Sequence, residues 1–272
     1  MRAMPEARDT GAREADVRRV LARVADPELD EPITAMGFVE EIGFDGDVVT
    51  VRFRLPTYWC SPNFAFLMAE GIVREVSSLP WVARVLVRLE DHMHADEVNA
   101  AVNDGRSFSD AFAALCDGAD LGELQAKFDE KAFQRRQESV LLRLRALGWS
   151  DGDIVAMTVR QLDAVDFEGG EAEGQRPRYR EALARRGLAR WPGDLAFRTW
   201  QGEPIAADGL RAHLSVLRQV RISMEFNGAL CRGLQGARYK EVAEIDGEPT
   251  LVDFMLGRMP RQRARQTSVS PG

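Results

Sequence analysis

Two short stretches of the chain hold most of its reactive side chains. Pro56-Thr57-Tyr58-Trp59-Cys60-Ser61-Pro62 sets one thiol just ahead of an apolar-periodic run that begins near Asn63. The start of a helix carries partial positive charge and free N–H groups. That setting favours the thiolate, the form that binds metals and attacks sulfur. The commoner fate of a free cysteine is to be packed and inert. The second stretch, Asp91-His92-Met93-His94-Ala95-Asp96-Glu97, contains two of the chain's three histidines. In an extended segment His92 and His94 project to the same side. With Asp91 or Glu97 they form a His/carboxylate set suited to iron or zinc. The alternative is a helix start, with Asp96 and Glu97 complementing the dipole and both histidines exposed in a loop. Cys60 and His94 share a site only if the strand before His92 runs beside the Cys60 loop.

The elements that must position these residues follow from periodicity. Val17, Val20, Leu21 and Val24 mark a helix over 15–25, ended by Asp26-Pro27, because the residue before proline avoids helical angles. Residues 1–12 read as loose and polar. Strands are predicted at 38–44 and 48–55, with Asp45-Gly46-Asp47 as the hairpin turn between them. A helix follows over 63–77, with Phe64, Leu67, Met68, Ile72, Val73 and Val76 on one side. A third alternating strand runs over 82–89. The order helix, strand, strand, helix, strand predicts an α+β domain over 13–105, with a three-stranded sheet and helices on one face.

Beyond Glu90 the pattern is helical. Helices are expected at 95–102, 107–116 and 121–147. Gly148 closes the last of these and Ser150 caps the next. Thr158 with Gln161 is a capping-box pattern. Glu168–Gln175 reads as a linker or loop. A helix or helix pair is expected over 209–236 and a short helix over 249–256. Residues 106–257 then form a helical domain and 258–272 a basic, disordered tail. Cys116 and Cys231 read as packed thiols on apolar helix faces, and Trp149, Trp191 and Trp200 as core in preference to client-facing anchors.

Composition narrows the function classes. The 272 residues are 45% hydrophobic and 29% charged, as in a globular protein with a real core. A net charge of −7 disfavours broad nucleic-acid or anionic-membrane binding, and the helix–turn–helix look of residues 141–165 does not outweigh it. Residues 1–10 lack an apolar stretch, so no signal peptide is expected. No apolar run reaches membrane-spanning length. Three widely spaced cysteines fit a reducing cytoplasm better than a disulfide framework. No Gly-rich phosphate loop, Gly-x-Ser-x-Gly elbow or His-Glu-x-x-His motif is present. An ATPase, serine hydrolase or zinc protease is therefore disfavoured.

Four stretches in a fixed order resemble the PaaD/SufT-like iron–sulfur assembly accessory family, whose domain is also called MIP-eighteen-type. They are Asp26-Pro27-Glu28-Leu29, Met36-Gly37-Phe38-Val39, Pro56-Thr57-Tyr58-Trp59-Cys60-Ser61, and Leu79-Pro80 with the strand after it. His94 with Val98-Asn99 is similar to a segment of the family's eukaryotic branch. The likeness spans about residues 15–105. The chain departs from it in having Cys60-Ser61-Pro62 where many bacterial members have Cys-Pro, and in having Met93 where the eukaryotic branch has threonine. The resemblance implies that Cys60 is the reactive and cargo-binding residue, with Thr57 and Asp26 supporting its loops; His94 and His92 are further metal-ligand candidates on their spacing alone. It implies maturation of iron–sulfur or related metal cofactors, with a transient cluster or iron as cargo. The partners implied are a client protein, other assembly factors and a second copy of the chain. By analogy with phenylacetate-pathway relatives, the client is a multicomponent di-iron monooxygenase. A metal-free chaperone or docking module is the competing reading. One cysteine cannot supply the four thiolates of an ordinary cluster, so other ligands must come from elsewhere.

Overall fold

The computed structural model describes residues 5–112 and 121–239 of the chain. Cys116, the end of the helix expected over 107–116, the helix expected over 249–256 and the tail from 258 lie outside the described residues. The N-terminal elements are α1 (Pro5–Leu21), β1 (Val39–Asp45), β2 (Val48–Arg54), α2 (Pro62–Ser77), β3 (Arg84–Glu90) and α3 (Ala95–Asn103). Helices α4 (Phe108–Ala111), α5 (Leu121–Ala146), α6 (Asp151–Ala156), α7 (Val159–Ala164), α8 (Glu171–Arg185) and α9 (Leu210–Tyr239) follow. The fold is α+β: one mixed sheet near the N-terminus, then helices.

The hairpin closes at the predicted turn. Asp45 pairs with Val48, and Gly46 takes φ +63° between them, a conformation natural to glycine. Strand β2 pairs in parallel with β3, so α2 is the crossover of a β–α–β unit. Alternation sets the faces of the sheet. Val49, Val51 and Phe53 of β2 and Val85, Val87 and Leu89 of β3 are buried, and Arg84 and Arg88 are exposed. The buried face meets Ala65, Met68, Ala69, Ile72 and Val76 of α2 and Val17, Val20 and Leu21 of α1 in one cluster. The stripe on α2 is rotated from the one predicted. Small residues Ala65 and Ala69 pack inward, while the Phe64 ring meets Phe128 of α5 edge-on at 5.2 Å.

The outer edge of β3 is covered by side chains rather than by a strand. Asn99 donates to the Leu89 carbonyl (3.0 Å) and accepts from its N–H (2.7 Å), and Asn103 does the same for Val87 at 2.9 and 2.8 Å. Such edges otherwise invite pairing with another chain. Asn99→Ala should therefore cost about 1–2 kcal/mol, because it strands two backbone groups. A fall in the urea midpoint together with faster amide exchange at Leu89 would be the signature. Unchanged exchange would mean that water replaces the side chain without loss.

A second cluster joins Phe133, Leu141 and Leu144 of α5, Tyr179 and Leu183 of α8, and Leu210, Leu214 and Leu217 of α9. Its polar centre is Gln137, which donates to Tyr179 Oη (2.8 Å) and the Arg198 carbonyl (2.7 Å) and meets His213 Nε2 at 2.6 Å. Burial pushes the Tyr179 phenol well above its ordinary range, so Tyr179 stays neutral and donates to the Ala196 carbonyl (2.8 Å). The cap signals hold. Ser150 accepts from the Asp153 N–H, and Thr158 with Gln161 forms a capping box.

Several expectations are corrected. The polar residues 5–12 lie in α1, whose next turns carry the Arg18–Glu14 and Arg19–Asp16 pairs. Glu168–Gln175 is not a linker. Only Glu168, Gly169 and Gly170 turn, with φ of 55°, 87° and 86°, and α8 starts at Glu171. The buried face of α8 runs through Ala172, Gln175, Tyr179, Ala182 and Leu183, too small and polar at its start to register as apolar periodicity. Trp191 is 73% exposed and Trp149 is exposed as well, both lying outside the helices. Trp200 packs against the second cluster under the Arg186 guanidinium.

The two clusters are tied by charge and by α9. Asp30 is 4% exposed and takes φ +56°. It accepts from Arg136 of α5 at 2.8 and 2.6 Å and from Arg178 of α8 at 2.6 Å. Arg135 donates to the neighbouring Leu29 carbonyl at 2.7 Å. Helix α9 begins in the second cluster and, by Cys231, packs against the first.

Candidate functional site

Cys60 lies two residues ahead of α2, in the loop that leaves the end of β2. The loop is short because Pro56 and Pro62 bracket it, and Pro62 opens the helix. Cys60 is half-buried against the N-terminal core. Its sulfur lies 3.1 Å from the Thr57 hydroxyl. That hydroxyl, rather than the amides at the start of α2, is the hydrogen-bond partner of the sulfur among the described residues. The Cys60 N–H turns back to the Thr57 carbonyl at 3.4 Å. Tyr58, Trp59 and, from the facing segment, Met93 stand around the loop, exposed by 48%, 72% and 49%.

The segment after β3 does run beside this loop. Asp91 takes φ +53°, a left-handed turn that short polar side chains tolerate best. It directs residues 92–94 onto the loop, where Met93 N–H donates to the Tyr58 carbonyl at 2.9 Å. His92 is buried. Its Nδ1 accepts from the His94 N–H (3.1 Å), so Nε2 carries the proton and donates to the Cys60 carbonyl (2.8 Å). Burial holds the His92 pKa below its ordinary value, with the bond to Cys60 opposing in part. With both ring nitrogens in use, His92 braces the cysteine loop. His94 stands at the start of α3 with its ring edge-on to Phe112 at 5.4 Å and its Nδ1 3.5 Å from Glu97. Among the described residues no group of three or more His, Cys, Asp or Glu side chains is arranged to hold a metal ion.

Asp26 supports its own loop rather than that of Cys60. Its carboxylate accepts from the Glu28 and Leu29 N–H groups, both at 2.9 Å, an Asx-type turn. Burial raises its pKa to about 6 against those two bonds.

Cys231 is the residue whose place the sequence did not disclose. It is half-buried on α9, not in the helical core, and packs against the N-terminal cluster beside which Cys60 sits. Burial first, then the charges of Asp26 and Cys60, pushes its thiol up to about 11. Its neighbours on α9 make a strap. Asn227 donates to Glu28 (3.1 Å), Arg232 to Glu31 (2.8 Å) and Gln235 to the Gly37 carbonyl (2.9 Å). Arg238 pairs with Asp91 at 2.7 Å and stands 5.9 Å from the Tyr58 ring. The sequence signal that was available is the spacing of Asn227, Cys231, Gln235 and Arg238 along one helix face.

An α–β–β–α–β unit thus presents a partly accessible cysteine between its second strand and its crossover helix. Residues 14–87 match the family model described as iron–sulfur cluster assembly protein. No curated protein matches the chain. Among the described residues no helix is long and apolar enough to cross a membrane. The matched segment is similar to an iron–sulfur cluster assembly domain, a likeness that supports a general role in iron–sulfur assembly.

Proposed function

We propose that this chain is a maturation factor that takes up iron, or a small iron–sulfur cluster, at Cys60 and passes it to a client protein. The observation that carries the reading is the half-buried Cys60 sulfur beside the Thr57 hydroxyl, at the lip of a loop collared by exposed Tyr58, Trp59 and Met93. A hydroxyl at this distance orients a thiol and supports a developing thiolate. The collar is large, apolar and solvent-facing, as a transient docking surface requires. Asp26 and Thr57 hold their loops, and His94, at the start of α3, is the candidate for an added ligand. The helical region beyond residue 105 is the client-docking part, and an oxygenase is the client that the family analogy favours.

The test is activation of a metal-dependent client by the Cys60→Ala protein, with anaerobic iron and acid-labile sulfide analysis alongside. Loss of cargo and of activation, with the circular-dichroism spectrum retained, is the expected result. Unchanged activation would exclude the thiol mechanism and leave the second reading, a metal-free docking module. One observation favours that second reading. On α9 the exposed residues Ile222, Phe226, Leu230 and Leu234 recur every fourth position, an apolar stripe that a partner helix would match.

A further inference from the structure

We propose that Cys60 and Cys231 form a two-thiol site in the seam between the Cys60 loop and α9, so that the chain itself supplies two thiolate ligands to a thiophilic cation. The inference rests on the reading of Cys60 as the cargo residue and extends it to a residue outside the matched segment.

Three observations put α9 and Cys231 on the side of the N-terminal cluster where the Cys60 loop lies. First, Cys231 stands four residues after Asn227 and four before Gln235, so all three lie on one face of α9. That face bonds to Glu28 at one end and to the Gly37 carbonyl further along. Second, the strap finishes on the cysteine loop itself. Arg238 donates to the Asp91 carbonyl at 3.0 Å, next to His92, which in turn holds the Cys60 carbonyl, and the same guanidinium stands near Tyr58. Third, both cysteines are half-buried against the same apolar cluster.

The chemistry suits soft cations. Thiolate pairs select zinc, cuprous or iron–sulfur species over hard cations, and a bound cation displaces the thiol proton that burial otherwise retains. Two thiolates leave a shell incomplete, so the remaining ligands come from a small thiol, a client or a second copy. An incomplete shell suits delivery, because the incoming client can supply the missing ligands before the carrier lets go.

The experiment uses the full chain, reduced and anaerobic, with cobaltous ion as the probe and the thiolate-to-metal charge-transfer band as the readout. Cys116→Ser should bind like the parent. Cys60→Ser and Cys231→Ser should each lose at least half of the band, and binding should weaken about tenfold or more for removal of one ligand. A Cys231→Ser protein indistinguishable from the parent, beside a defective Cys60→Ser, would overturn the two-thiol site and leave the Cys60 reading intact. Parental binding by both would remove both. A second measurement leaves Cys231 unchanged. In the Cys116→Ser protein, one equivalent of phenylarsine oxide, which bridges only neighbouring thiols, should shield Cys60 and Cys231 together from alkylation. Alkylation of both at the unshielded rate would refute the pairing.

Discussion

Replacing Asp30 by alanine should destabilise the protein by about 3–5 kcal/mol, the range seen when one partner of a buried ion pair is removed. Two guanidinium groups depend on this carboxylate. Arg136 is buried and grips both oxygens, and Arg178 shares Oδ1 and also donates to the Asp30 carbonyl at 3.2 Å. Burial already lowers the Arg178 pKa against the pull of Asp30, so its charge is costly to leave uncompensated. Alanine would also be strained at φ +56°, whereas asparagine tolerates that region. Asp30→Asn, which isolates the charge, should therefore cost less than Asp30→Ala. Adding Arg136→Leu to Asp30→Ala should return much of the loss, because the most buried orphan charge is then gone. Urea unfolding of the four proteins measures this. A loss under about 1 kcal/mol for Asp30→Ala would mean that water reaches the arginines and that the two halves of the chain are not locked through this residue.

The second large effect concerns pH. Asp26 titrates at about 6 in the folded chain against an ordinary 3.8, so between those values the folded state holds a proton that the unfolded state has released. Its contribution is fully present below the unfolded pKa and is lost as pH rises through the folded one. Roughly two pH units correspond to about 3 kcal/mol. Asp26→Asn keeps an oxygen for the Glu28 and Leu29 amides and has no charge to desolvate. The stability difference between the variant and the parent should thus grow in the variant's favour across this window and level off above it. A difference that stays constant with pH would show that the carboxylate is solvated in the native state.

The contrast between α2 and α8 shows what periodicity could and could not convey. The strands, the Gly46 turn and α2 were legible because their apolar residues recur at periods of two or 3.6 and are bounded by glycine and proline. Ser150 and Thr158 were legible because capping is local chemistry. Helix α8 was hidden by Ala172 and Gln175, which bury little apolar area, and by a glycine pair that mimics a linker. At the site, Cys60 was legible from its own loop and Thr57 from the family resemblance, and the 3.1 Å contact between them spans three positions. The histidines were placed beside that loop only conditionally. That His92 spends one ring nitrogen on the Cys60 carbonyl and the other on the His94 N–H depends on the φ of Asp91, which no pattern reports. Cys231 belongs to a strap that closes over a chain separation no local signal encodes.

The two asparagines on α3 have a consequence for how a client can approach. Because they occupy the hydrogen-bonding positions along β3, the sheet can grow only from its opposite margin, β1, whose pairing with β2 slips between Val39 and Glu41. Recruitment by adding a strand would therefore begin on the far side of the sheet from β3 and the His92 segment that follows it. A partner that must reach the thiol has to come in over the loop tips, by side-chain contact, and backbone pairing cannot bring it there.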